Sequence, residues 1–111
     1  PDQSADITCS IGVFQFLSNR RFACKEMVRT TKKSGLIAIS ALTGQEKIDG
    51  SPEEEKTDWD RDSDIVKLNE ITDLMSELGL EILLSLKYLS YYHQYSAYRI
   101  NHYDELVIAR V

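Results

Sequence analysis

Ala23-Cys-Lys-Glu-Met-Val-Arg-Thr-Thr-Lys-Lys-Ser-Gly-Leu-Ile-Ala-Ile-Ser40 is the stretch on which the fold turns. Cys24, Met27, Val28 and Thr31 recur at i, i+3, i+4 and i+7, the spacing of one apolar helical face, and Lys25, Glu26 and Arg29 fall outside it. Ser18 or Asn19 can cap this helix, and Ser34-Gly35 ends it. Glu26 and Arg29 stand three apart, where opposite charges on a helix surface meet. Gly35 then releases the chain into Leu36 to Leu42, a run without charge that suits a strand buried on both faces.

Working outward, Asp6 to Val13 is apolar or small on both faces and predicts an interior strand of a covered parallel sheet. Strand, helix, strand makes a right-handed crossover unit. Residues 44–62 change character, with Pro52, the run Glu53-Glu54-Glu55 and almost no aliphatic side chains, and predict a long acidic surface loop. Its lone Trp59 either docks on a partner or pins the loop to its own core. Asp62 or Ser63 can cap a helix running to about Leu78, on which Leu68, Ile71, Thr72, Leu74, Met75 and Leu78 form an apolar stripe before Gly79. Leu80 to Leu89 alternates, with Ile82, Leu84, Leu86 and Tyr88 on one side, so it predicts a strand covered mainly on one face. Leu106 to Val111 supplies a final short strand. That order belongs to an α/β sheet, mostly parallel, with an antiparallel end.

The composition sets bounds. A chain of 111 residues is one domain or a piece of one. Its 42% hydrophobic content is enough for a real core. A formal charge of −5 argues against a nucleic-acid surface, and the pairs Arg20-Arg21 and Lys32-Lys33 sit at helix ends where solvated charge is common. Cys9 and Cys24 form no Cys-x-x-Cys arrangement and lie in apolar patterns, so both are expected as small buried hydrophobes in a reduced, cytoplasmic setting. Neither a membrane span nor a signal peptide is expected, since no apolar run approaches about 18 residues and no basic-then-apolar leader is present.

Asp6-Ile-Thr-Cys-Ser-Ile-Gly-Val-Phe-Gln-Phe-Leu-Ser-Asn19 resembles the fourth strand and following turn of class I S-adenosylmethionine-dependent methyltransferases. The stretch from Ala23 to Ser40 is similar to that family's next helix and fifth strand. Asp104 to Val111 is similar to its final antiparallel strand, so the resemblance spans nearly the whole chain. Lys33 stands where the family usually has Pro, Ser34 where it has Gly, and Gln15-Phe16 replace a common His-His. The resemblance implies that residues 1–111 are the C-terminal portion of a Rossmann-like methyltransferase domain. The family's glycine-rich turn and the acidic residue after its second strand have no counterpart here, and no Gly-x-Gly occurs. Such glycines let the backbone approach the cofactor, and the acidic residue accepts ribose hydroxyls. A fragment lacking the N-terminal half is therefore the expectation.

On the same resemblance, Ser10, Ile11, Gly12 and Gln15 lie against S-adenosylmethionine, chiefly through their backbone, although Ser10 and Gly12 also suit close packing alone. Tyr88, Tyr91, Tyr92, His93, Tyr95, Tyr98, His102 and Tyr103 crowd one segment expected as a loop between the last two strands. From it Tyr91, Tyr92, His93 and Tyr95 are expected to contact a small-molecule acceptor, with His93 suited to general-base work. Asp58, Asp60, Asp62 and Asp64 alternate like calcium ligands, but Ser63 replaces the required Gly and Asn69 the bidentate Glu, so no metal site is expected. No Gly-x-Ser-x-Gly turn signals a nucleophile, and no catalytic residue is assigned. The function expected is methyl transfer to a small acceptor; a non-catalytic α/β interaction module is the alternative. With its neighbouring strand missing, the edge of the first strand is expected to pair with the absent half or with a second copy.

Overall fold

The computed structural model describes residues 1–48, 66–94 and 98–111. Strands β1 (Ala5–Ile11), β2 (Thr31–Ile48), β3 (Glu81–Gln94) and β4 (Arg99–Arg110) form one sheet in the order β1-β2-β4-β3. Among the described residues, helices α1 (Arg20–Thr30) and α2 (Glu70–Glu77) pack on one face, and a short 3-10 turn spans Phe14–Phe16. The α/β class is as expected. The sheet is nevertheless not mostly parallel, because only β1 and β2 run parallel. The cause is the connection of β3 to β4, which brings β4 back between β2 and β3, antiparallel to both.

The crossover helix forms for the reasons its sequence displays. Asn19 caps α1, its side chain accepting from Phe22 N at 3.0 Å, and Arg29 reaches Glu26 at 2.7 Å on the outer face. Cys24 and Met27 are buried, and Thr31 closes the helix by donating to Met27 O at 2.6 Å. β2 begins at Thr31, ahead of the expected Leu36. Across it lies the core: Ile37, Ile39 and Ala41 of β2, with Val107 and Ala109 of β4, meet Phe14, Cys24, Ile71 and Met75. α2 starts later than expected, at Glu70, so Leu68 lies before the helix and is exposed. Glu70 and Asp73 in its first turn complement the positive N-terminal end. Gly79, at φ +84, takes the left-handed conformation that ends it.

Three expectations about burial and strand pattern change. β1 is an edge strand, so Ile7, Cys9 and Ile11, which face away from the helices, are exposed instead of interior. In β3 a register shift between Ile82 and Leu84 splits the expected stripe. Ile82 opposes Ala109 on the helix side, whereas Leu84, Leu86 and Tyr88 point to the other face, where both leucines are exposed. The tyrosine-rich segment is strand through Gln94 and again from Arg99, where a loop was expected. Likewise residues 44–48 extend β2, while the rest of the expected acidic loop, with Trp59 and the alternating aspartates, lies outside the described residues.

The two cysteines now differ chemically. Burial pushes the Cys24 thiol from its ordinary 9.0 up to about 11, with Glu70 adding to the shift, whereas Cys9 is exposed. At pH 8 an alkylating reagent is expected to modify Cys9 in the native protein and spare Cys24, as read by mass spectrometry; equal labelling would contradict this burial. A thiol whose folded pKa is raised releases its proton first in the unfolded chain, so its contribution to stability holds below about pH 9 and is lost as pH rises through about 11.

Candidate functional site

β1 stops at Ile11 while its parallel neighbour β2 continues to Ile48. Gly12, at φ +67, turns the chain off the sheet, its N–H donating to Ser40 O at 2.9 Å and Ser40 Oγ at 3.2 Å. A Cβ built on Gly12 would meet nothing within 4 Å, so the backbone there is open to approach. Beyond this turn Leu42 no longer faces β1. Gln15 fills the gap: its Oε1 accepts from Leu42 N at 3.3 Å and its Nε2 donates to Gly12 O at 3.0 Å. At 3% exposure it acts as a surrogate for the strand that has ended. The four predicted cofactor residues therefore divide. Ile11 and Gly12 form an open shelf at the carboxyl end of β1, Ser10 is half-buried opposite Ile39 on the helix side, and Gln15 is a buried clamp.

Past that shelf, β2, β4 and β3 continue as a three-stranded apron. His102 of β4 lies between Gln45 of β2 and Tyr91 of β3, and all three share the face away from the helices. Tyr91 and His102 stack with ring centroids 4.2 Å apart and planes at 9°. His93 lies 4.9 Å from His102 and 5.4 Å from Tyr91, tilted to both. Gln45 Nε2 lies 3.3 Å from His102 Nδ1; with the amide donating, the neutral ring carries its proton on Nε2. On the same face Asp104 opposes Tyr88, and burial raises its carboxyl pKa, partly offset by a hydrogen bond with Ser90.

Of the predicted acceptor residues, Tyr91 and His93 are brought together. Tyr92 turns to the opposite face, where the Arg99 guanidinium lies 5.1 Å from its ring centroid, and Tyr95 falls outside the described residues. A register shift between Leu89 and Tyr91 sets which of these rings faces which way. His102 was named in the aromatic segment but not among the expected acceptor contacts, and Gln45 was missed altogether, since only cross-strand register unites them with Tyr91. The period-two spacing of Tyr91 and His93 was the one local signal. Among the described residues no group of histidine, cysteine and acidic side chains is arranged to hold a metal ion, and no helix is long and apolar enough to cross a membrane.

No family model and no curated protein matches the chain. Solved structures do match it over nearly its full length. It is similar to the [4+2]-cyclase SpnF, at 15% identity and TM-score 0.69 over 99% of this chain and 50% of that one. It is also similar to a proposed methyltransferase of Bacillus halodurans, at 13% identity and TM-score 0.67 over 98% of this chain and 65% of that one. A third match is a SAM-dependent methyltransferase of Thermotoga maritima, described as a possible histamine N-methyltransferase, at 17% identity and TM-score 0.66 over 98% of this chain and 57% of that one. The chain thus spans about half to two thirds of the length of these structures. What it shares with them, from the strand before the Gly12 turn to the final antiparallel strand, is a class I methyltransferase-like fold.

Proposed function

We propose that this chain is the substrate-side portion of an S-adenosylmethionine-dependent methyltransferase acting on a small-molecule acceptor. The observation that supports this reading is the placement of the aromatic apron at the same sheet end as the Gly12 shelf. Ligands of open α/β sheets bind beyond the carboxyl ends of parallel strands, where Ile11 and Gly12 stand. Gln45, opposite His102, follows Ser40, opposite Ile11, by about 15 Å of strand, a span on the scale of a nucleoside and a small acceptor together.

Ile11 and the open backbone of Gly12 fit one wall of a nucleoside pocket, with apolar contact and close approach. Gln15 does not fit as a ligand, because both ends of its amide are engaged within the fold. S-Adenosylmethionine would supply the electrophilic methyl group. The chain's own part is to orient the acceptor against Tyr91 and to receive its proton on a ring nitrogen of His93, work that relies on positioning more than on covalent chemistry.

Calorimetry tests this in two arms. The isolated 111 residues, which carry neither a glycine-rich turn nor an acidic ribose acceptor, are expected to show no micromolar affinity for S-adenosylmethionine. A protein that includes this chain in a complete domain is expected to bind it, with Gly12→Val weakening binding by about tenfold or more by blocking the open approach. Micromolar binding by the isolated chain would overturn the first expectation; a complete domain that does not bind would overturn the function. Because SpnF is by name a [4+2]-cyclase, methyl transfer is to be followed separately, with labelled methyl donor.

A further inference from the structure

The aromatic apron holds both histidines of the chain, and their settings are unequal. His102 is fully buried, at 0% exposure, with Tyr91 of β3 stacked flat on its ring and the Gln45 amide of β2 at its Nδ1. His93 is half-buried on β3, the last strand of the sheet, and meets both rings at a tilt. A charged His102 would need an acceptor for each ring N–H, and burial already disfavours the charge. An amide NH2 at Nδ1 opposes the charge further, because it occupies the lone pair that a second proton would need. Among the described residues, the other titratable groups on this face beside the ring are Tyr88, Tyr91 and His93 of β3 and Asp104 two positions along β4. Burial itself pushes the Asp104 carboxyl toward its neutral form.

We propose that Gln45 is a positioning residue that holds His102 as the neutral Nε2–H tautomer, so that His93 is the ring of the pair that takes a proton. The inference rests on the acceptor role given above to Tyr91 and His93, and it assigns the other two members of the cluster. His102 is an uncharged support that fixes the plane of Tyr91. With the two imidazole centroids 4.9 Å apart, a charge on His102 would oppose a charge on His93, so a neutral His102 leaves His93 able to receive the acceptor's proton. Gln45 acts through His102, from the side of β4 opposite His93. The acceptor that this arrangement suits carries a proton on the atom to be methylated, an N–H or O–H group. A ring kept ready for a proton gives no advantage to an acceptor that has none to release.

Long-range proton–nitrogen NMR of a histidine-labelled complete domain that includes this chain reads the tautomer and charge of each ring, with His93→Gln and His102→Asn assigning the two signals. His102 is expected to keep the neutral Nε2–H form from about pH 8 down to about pH 5, with His93 the first of the pair to become doubly protonated. Gln45→Met, which keeps the length and removes the donor, is expected to let His102 populate both neutral tautomers. Gln45→Glu, which puts an acceptor at Nδ1, is expected to move the proton to Nδ1 and make His102 the first ring charged. The same variant is expected to lower kcat for labelled methyl transfer by about tenfold or more, with KM for the methyl donor unchanged. Circular dichroism checks the fold of each variant, and Gln45→Met carries the test if Gln45→Glu does not fold. A parent His102 with its proton on Nδ1, a His102 charged before His93, variants that leave its tautomer unchanged, or an altered tautomer that leaves kcat unchanged each overturn the proposal. A parent domain that transfers no methyl group overturns the proposed function instead, whereas the spectra decide the tautomer by themselves, so the two failures are distinct.

Discussion

Phe14→Ala is expected to destabilise the protein by about 3 to 5 kcal/mol, read as a fall in the urea midpoint followed by circular dichroism. Phe14 is 1% exposed and joins the core beside Cys24, Met27 and Ile39, so its removal leaves a cavity that strands and helices anchored elsewhere cannot fill. Its carbonyl also accepts from Arg20 Nε at 3.0 Å, and Arg20 in turn reaches Glu70 of α2 at 2.9 Å. The residue therefore links the turn after β1 to both helices. Phe16, two positions on and exposed, provides the contrast: Phe16→Ala is expected to cost under about 1 kcal/mol. Equal losses from the two substitutions would show that the turn does not insert Phe14 into the core.

A comparable effect, about 3 kcal/mol, is expected from Gly35→Ala. A Cβ there would stand 2.7 Å from Asp6 O, 2.8 Å from Lys32 O and 2.8 Å from Thr31 Cγ2. Two of these three atoms are backbone and cannot rotate aside, so β1 and β2 would have to separate near the register shift where their pairing begins. Gly12→Ala is the comparison, with open space around the new methyl group but a positive φ, and its expected cost is about 1 kcal/mol. Thermal unfolding of both variants distinguishes close approach from backbone strain; a Gly35 variant as stable as the parent would contradict the packing at Asp6.

The local elements were legible in the sequence because each is written in neighbouring residues. Asn19, the Cys24-Met27-Val28-Thr31 spacing and the Glu26–Arg29 pair define α1 without reference to anything distant, and the uncharged run from Leu36 to Leu42 marks β2. The ends were less legible. Residues 44–48 and 90–94 lie beyond the apolar runs that announce β2 and β3, and they are strands because hydrogen bonds to β4 hold them. Of the candidate site, Gly12 was readable as a small residue after a strand. Gln15 was not readable as a clamp, because its partners Gly12 O and Leu42 N come together only once β1 and β2 are paired.

The sequence by itself determined the α/β class, the crossover from β1 through α1 to β2, and the resemblance to one half of a methyltransferase domain. The first two rest on periodicity and capping within a few residues, and the third on the likeness of Asp6 to Asn19, Ala23 to Ser40 and Asp104 to Val111 to the family's own segments. Only the tertiary structure decided that β4 enters between β2 and β3, that β1 is an edge exposing Ile7, Cys9 and Ile11, and that Tyr91 and His93 meet His102 while Tyr92 faces away. The physical reason is that side chains alternate along a strand with period two, so one register shift, such as those at Ile82/Leu84 and Leu89/Tyr91, reverses the face of every residue that follows. Such shifts are set by the partner strand, and no local pattern in β3 records them.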